Sequence, residues 1–272
     1  MTPAAPDART DVATGSTERG LTPVQQREIL DDGYTLLPGI VAPDLIDRAR
    51  RAINASLGER GLDPEQLPTL RARSYCPELA STPEILGLLT ESPLWSIAES
   101  VIAPGELEPV DHAQIALRFP SPDAPGTVHP HIDGMYSPHN GVPEGSIRNF
   151  TALIGVYLSD VATTDAGNFT VWPGSHRLYA DYFAREGAEA LLQGMPPVEL
   201  PEPVQTTPRA GDAVLSHYQI GHGIAPNASP NIRYAIYFRL HRRGHDAIRL
   251  DVMTDLWREW DGLRGALGIA TG

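Results

Sequence analysis

The chain of 272 residues contains no lysine: all 21 of its Lys+Arg cations are arginines. A pyridoxal or carbonyl Schiff base needs a lysine amine and a Walker-type phosphate loop needs its lysine, so both chemistries are excluded. Cysteine is nearly absent as well. Cys76 stands alone, which rules out an internal disulfide framework and a cysteine-only metal cluster. No apolar run approaches the ~20 residues of a membrane span, and the opening MTPAAPDARTDVATGSTERG has no hydrophobic signal core. There is no basic run either. With 34 acidic residues the net charge is −13, a poor match for nucleic acid or an anionic membrane. The expectation is a cytoplasmic protein whose residues 1–20 form a disordered tail. Arginine in place of lysine, with 26 prolines and 25 glycines, points to a GC-rich bacterial genome.

What is present divides the chain in two. Thr22-Pro23-Val24-Gln25 offers an N-cap, a proline at the first helical position and a capping-box glutamine, predicting a helix that stops near Gly33. Residues 34–37 read as a short strand. Pro43 opens a second helix, with Leu45, Ala49, Ile53 and Leu57 at helical spacing up to Gly58, and further helices are expected over 84–90 and 94–103. From Ala113 onward the texture changes to short β-rich runs: 114–119, 128–133, 150–158, 168–172, 213–217 and 232–241. Strands so short, with no helix between each pair, argue for an antiparallel sandwich or barrel. A helical insert is expected over 178–193, an exposed proline-rich loop over 196–208 and a closing helix over 251–260.

Nine histidines in a chain with one cysteine invite a search for a metal site. In His129-Pro130-His131-Ile132-Asp133, His131 and Asp133 would share one face of an extended strand. Further on, Gly211-Asp212 leads through His217 to His222, and Arg233 follows at position 222+11. Two histidines and a carboxylate form a facial set that leaves Fe(II) open positions for a chelating cosubstrate and O2. A planar guanidinium on the next strand suits a dicarboxylate.

These residues resemble the phytanoyl-CoA dioxygenase family of Fe(II)- and 2-oxoglutarate-dependent oxygenases. The shared set is His131-Ile132-Asp133, the turn Pro173-Gly174-Ser175-His176, Gly211-Asp212, His222 and Arg233, in that order. The resemblance spans roughly 21–245 and implies a mainly β double-stranded β-helix, the cupin-like jelly roll, with flanking helices. One oxygenase domain over 21–272 would then comprise a helical part (21–110), a jelly-roll core (111–245) and a C-terminal helix (250–265). It further implies Fe(II) on His131, Asp133 and His222, 2-oxoglutarate held by Arg233, and hydroxylation of an unactivated C–H bond of a small metabolite through a ferryl intermediate, with succinate and CO2 released. Specialised, natural-product metabolism is the expected setting. Desaturation, epoxidation or cyclisation would use the same ligands. Related halogenases replace the carboxylate ligand by Gly or Ala, so Asp133 argues against halogenation.

The chain departs from its relatives in one respect that matters for charge. Some relatives carry a lysine two residues after a glutamine that lies 17 before the proximal histidine; here the glutamine is Gln114 but the lysine position is Ala116. Gln114, Asn149 and Thr151 are therefore further candidates for the cosubstrate, with Arg118 in reserve. Arg118, His129, Tyr136, Trp172 and Arg239 are candidates for substrate contact, and Gly134 to Arg148 reads as a lid. His217 competes with His222 as distal ligand, and His176 is expected to be structural. Two other readings are a cupin-type metal protein that does not use 2-oxoglutarate, imitated by His129-Pro130-His131, and a catalytically silent jelly roll.

Overall fold

The computed structural model describes residues 20–122, 124–265 and 268. The tail expected over 1–20 lies outside them apart from Gly20. The first helix, α1 (Pro23–Asp32), starts as its sequence dictates: the backbone N–H of Gln25 donates to Thr22 Oγ1, and the Gln25 side chain accepts from the Thr22 N–H at 3.0 Å. It ends at Gly33, whose φ of 85° suits glycine, and which a Cβ would bring within 2.7 Å of His176 Nδ1. After β1 (Tyr34–Leu37) come α2 (Pro43–Arg60), α3 (Leu67–Ala72), α4 (Pro83–Thr90) and α5 (Leu94–Val101). Of these, α3 has no counterpart among the expected elements.

The β half begins with β2 (Gln114–Arg118), β3 (Ala152–Tyr157) and β4 (Phe169–Val171). Then follow α6 (Ser175–Glu186), β5 (Val204–Gln205), β6 (Ala213–His217), β7 (His222–Ile224) and β8 (Arg233–Leu240). The strands form a five-stranded sheet in the order β1-β6-β3-β8-β2 and a three-stranded sheet in the order β5-β4-β7, antiparallel throughout. This is the jelly roll. Every residue of β3 is buried because both its faces are covered. Ala152, Ile154 and Val156 belong to the apolar cluster that includes Ile53, Leu88 and Ile97 of the helices. Leu153 and Tyr157, pointing the other way, join Phe169 and Val171 of the smaller sheet.

Three segments differ from expectation. Over 128–133 there is no strand, only an isolated bridge pairing His131 with His222; Pro130 has no N–H to donate to a ladder. Within the proline-rich 196–208, Val204 and Gln205 form β5 at the edge of the smaller sheet, between prolines that stop the pairing from extending. Residues 251–260 are not a continuous helix. After the short α7 (His245–Ile248), a 3-10 turn (Asp251–Met253) is followed by turns and by the short α8 (Asp261–Arg264), while Trp257 and Trp260 pack against the His217 ring at centroid distances of 5.3 and 5.6 Å.

Candidate active site

The two-residue bridge between His131 and His222 sets the site. Each donates its backbone N–H to the other's carbonyl at 2.9 Å, which puts the two rings side by side with centroids 4.4 Å apart. Asp133, two residues beyond His131, returns to the same point. Its Oδ1 lies 3.7 Å from His131 Nε2 and 3.8 Å from His222 Nε2, and the three ligand atoms all fall within 4.8 Å of one another. One divalent cation with bonds of about 2.1 Å can bridge such a set. The tautomer of His222 suits it. His222 Nδ1 lies 3.0 Å from the Ile220 carbonyl, so the ring's proton sits there and the Nε2 lone pair faces the other ligands. Phe169 packs beside that ring at 5.2 Å.

Asp133 is held by Arg239. Nε and Nη2 of Arg239 donate to Asp133 Oδ2 at 3.0 and 2.8 Å, leaving Oδ1 toward the histidines, and Nη1 donates to Gln114 Oε1 at 3.0 Å. Burial alone would raise the Asp133 carboxyl, but Arg239 and the two histidines outweigh it and hold the carboxylate well below its usual range. Arg239, expected as a possible substrate contact, thus orients the carboxylate, and Gln114 orients Arg239.

Arg233, six residues earlier on the same face of β8, is buried at 2% exposure. Its Nε donates to the Gly167 carbonyl at 2.8 Å and its Nη1 to the Ala116 carbonyl at 3.0 Å, while Nη2 is buried with no partner among the described residues. A buried, charged donor left open is costly, and a carboxylate is the group that fits it. Across the ladder, in register with Arg233, stands Arg118. Burial, then the proximity of Arg233 and Arg71, push the Arg118 guanidinium down to about 10.

His131, Asp133, His222, Gln114, Arg118, Tyr136, Arg233 and Arg239 all line one cavity of about 910 Å³. Other candidates lie elsewhere. Asn149 donates to the Arg249 carbonyl at 2.6 Å and contacts His245, and Thr151 donates to Glu259 at 2.8 Å, so both serve a hydrogen-bond network outside the cavity lining. His129 is exposed and outside the cavity, because without a strand the alternation that would align it with His131 does not hold. Trp172 is buried in the protein core away from the cavity lining. His217 is satisfied on both nitrogens: Nδ1 accepts from the Gln219 N–H at 3.1 Å and Nε2 donates to the Leu256 carbonyl at 2.9 Å. His176 Nε2 bonds the Leu30 carbonyl at 3.3 Å.

The loop 134–148 forms one wall of the cavity. Gly134, at φ 95°, lets the Arg148 backbone approach to a distance that a Cβ would meet at 3.0 Å, and the Arg148 N–H donates to the Gly134 carbonyl at 2.9 Å, closing the loop at its base. Inside it, Asn140 Oδ1 accepts from the N–H groups of Ser137 and Val142 and its Nδ2 donates to the Met135 carbonyl at 2.7 Å. Arg71, Arg73, Arg148 and Tyr237 also line the cavity, unanticipated from the sequence. Tyr237 shares the strand parity of Arg233 and was legible on that basis; Arg71 and Arg73 required knowledge of where α3 packs.

Jelly roll, His-Asp-His cluster and open buried guanidinium together define the class of non-haem iron, 2-oxoglutarate-dependent oxygenases. Within that class the chain belongs to the phytanoyl-CoA dioxygenase family, whose model matches residues 29–235. Among solved structures it is similar to HygX from Streptomyces hygroscopicus with nickel and 2-oxoglutarate bound, at a TM-score of 0.57 and 17% identity over 83% of this chain and 88% of that one. It is likewise similar to the α-ketoglutarate-dependent carbocyclase SnoK from nogalamycin biosynthesis (0.54, 20%, 85% and 90%). A third is EctD from S. alaskensis with 2-oxoglutarate and 5-hydroxyectoine (0.55, 16%, 85% and 79%). No curated protein matches by sequence. Among the described residues no helix is long and apolar enough to cross a membrane.

Proposed function

We propose that this chain hydroxylates a C–H bond of a small-molecule metabolite, with His131, Asp133 and His222 as ligands of Fe(II) and Arg233 as the anchor of 2-oxoglutarate. The observation that carries the reading is the unpaired Nη2 of Arg233 in the same cavity as the three converging ligand atoms. When bound, iron and the keto acid supply O2 activation coupled to release of succinate and CO2.

The protein's own part is placement. His222 turns its Nε2 toward the other ligands because its Nδ1 bonds the Ile220 carbonyl. Asp133 stays ionised and correctly turned because Arg239 holds its outer oxygen. Arg233 receives a carboxylate of the cosubstrate, and Arg118, in register beside it, supplies the second positive charge that Ala116 does not. Phe169 and Leu153 line the wall next to the ligands and keep it apolar. SnoK serves nogalamycin biosynthesis, and natural-product metabolism is the setting we propose for this chain.

The test is to mix protein, Fe(II) and 2-oxoglutarate without oxygen, admit ¹⁸O2, and measure succinate. Labelled succinate from wild type and none from His131→Ala supports the reading. Absence of succinate from wild type refutes it. A screened substrate that also gains one ¹⁸O atom makes the outcome hydroxylation; one that loses two hydrogens and gains no oxygen makes it desaturation or ring closure.

A further inference from the structure

The cavity is charged opposite to the chain. The protein carries a net −13, yet six arginines line this one cavity (Arg71, Arg73, Arg118, Arg148, Arg233 and Arg239) against a single lining carboxylate, Asp133, among the described residues. Asp133 is already engaged by Arg239. Loading the site does not remove the excess, because a divalent cation and a cosubstrate dianion cancel.

Like charges gathered in a concavity repel one another, and at Arg118 burial first and then the neighbouring Arg233 and Arg71 lower the proton affinity. Arg118 and Arg233 are also direct cross-strand partners, a pairing that disfavours the sheet when both are cations. A cleft lined by one sign of charge focuses the field and concentrates ligands of the other sign. The guanidinium fork matches a phosphate or carboxylate.

Not all six arginines serve the same end. Arg239 is taken by Asp133, and Arg233 with Arg118 faces the cosubstrate. Arg71, Arg73 and Arg148 are exposed and form the rim. They come from two elements, Arg71 and Arg73 from the end of α3 and Arg148 from the end of the loop 134–148. Arg73 ties those elements together: its Nε donates to the His139 carbonyl at 3.3 Å, and its guanidinium lies over Gly141, where a Cβ would come within 2.9 Å of Nη2. The side chains of Arg71 and Arg148 bond to nothing among the described residues. Between rim and ligand cluster, Met135, Val142, Ile224, Phe169 and Leu153 supply an apolar wall.

We propose that the substrate of this site is an amphiphilic anion, its phosphate or carboxylate held at the rim by Arg71, Arg73 and Arg148 and its apolar body extended toward His131, Asp133 and His222. The inference rests on the oxygenase reading for what happens to that body, but not for the binding of the anion. It also revises an expectation of the sequence, in which no basic cluster exists: the cluster is assembled from residues far apart along the chain.

The test is calorimetric titration of the full chain, loaded with Ni(II) and 2-oxoglutarate, with three matched probes: hexyl phosphate, hexanoate and hexan-1-ol. The expected result is that at least one anion binds and the alcohol does not, with anion affinity falling steeply as salt is raised. An R71A/R148A double variant should bind the anion at least about tenfold more weakly, because it loses two charge-assisted contacts. Both side chains are exposed, and a retained thermal midpoint verifies that the variant is folded. Arg209→Ala, which removes an exposed arginine outside the cavity, should bind like wild type. Tighter binding of hexyl phosphate identifies a phosphate ester as the head group, and tighter binding of hexanoate a carboxylic acid. The proposal is overturned if hexan-1-ol binds as tightly as the anions, if neither anion binds, or if the double variant binds no more weakly than Arg209→Ala. Titration of 2-oxoglutarate into Ni(II)-loaded protein without probe reports separately on the oxygenase reading, and the probe preference can still be read on the metal-free chain if that titration fails.

Discussion

Arg233 and Arg239 lie on one face of β8, yet the sites they serve differ because their partners differ. Arg239 gives three of its donors to Asp133 and Gln114. Its removal leaves the ligand carboxylate unoriented, so Arg239→Leu should weaken Co(II) or Fe(II) binding by about 10- to 100-fold, the usual cost of losing a hydrogen-bond partner behind a metal ligand. Calorimetric metal titration reads this, and unchanged metal affinity would contradict the role. Arg233 already bonds two carbonyls and keeps one donor open. Arg233→Ala should therefore spare metal binding and cost roughly 2 to 5 kcal/mol in 2-oxoglutarate affinity, the loss of a charge-assisted pair in a closed site. Equal affinities for wild type and variant would refute it. The pair of substitutions separates metal binding from cosubstrate binding along a single strand.

At the level of elements, sequence and structure agree where local chemistry decides. The Thr22–Gln25 box, the apolar spacing of α2 and the fully apolar run of β3 all form as read, because each signal is complete within a few residues. They diverge where pairing comes from afar. His131 takes its place from a two-bond bridge to His222, 91 positions away, which no periodicity over 128–133 encodes. Asn149 and Thr151 had the right residue type and neighbourhood for cosubstrate contact, but their side chains bond the Arg249 carbonyl, His245 and Glu259, none of which lines the cavity. The rim arginines were hidden for the same reason. The loop 134–148 shows how a local requirement can still be tested. Gly134 has φ 95° and would place a Cβ 3.0 Å from the Arg148 backbone, so Gly134→Ala should destabilise the loop by on the order of 1 to 3 kcal/mol. Limited proteolysis should then cut within 134–148 faster than in wild type; equal rates would show that the constriction does not hold the loop.

For the molecule as a whole, buried histidines make stability depend on pH. Burial pushes His217 down to about 4, and burial together with the neighbouring His217 and Arg177 pushes His176 down to about 3. In the unfolded chain both take up a proton near pH ~6.5. Between that value and their folded values the unfolded state binds more protons, so stability falls as pH is lowered, by up to about 1.4 kcal/mol per pH unit for each histidine. The thermal midpoint should therefore drop from pH 7 toward pH 4, and His217→Gln should make the slope shallower by about one proton. A midpoint independent of pH in that range would contradict the neutral, buried state of these rings.

The proposed activity turns on three ligand atoms and one guanidinium acting in the same cavity. It is tested most directly by adding Fe(II) and then 2-oxoglutarate to the protein without oxygen and recording the visible metal-to-ligand absorption of a chelated keto acid. Wild type should develop the band; His131→Ala and His222→Ala should not, and Arg233→Ala should develop it only at much higher 2-oxoglutarate. A wild-type protein that gives no band, or a His222→Ala variant that gives the same one, would contradict the assignment of His131, Asp133, His222 and Arg233.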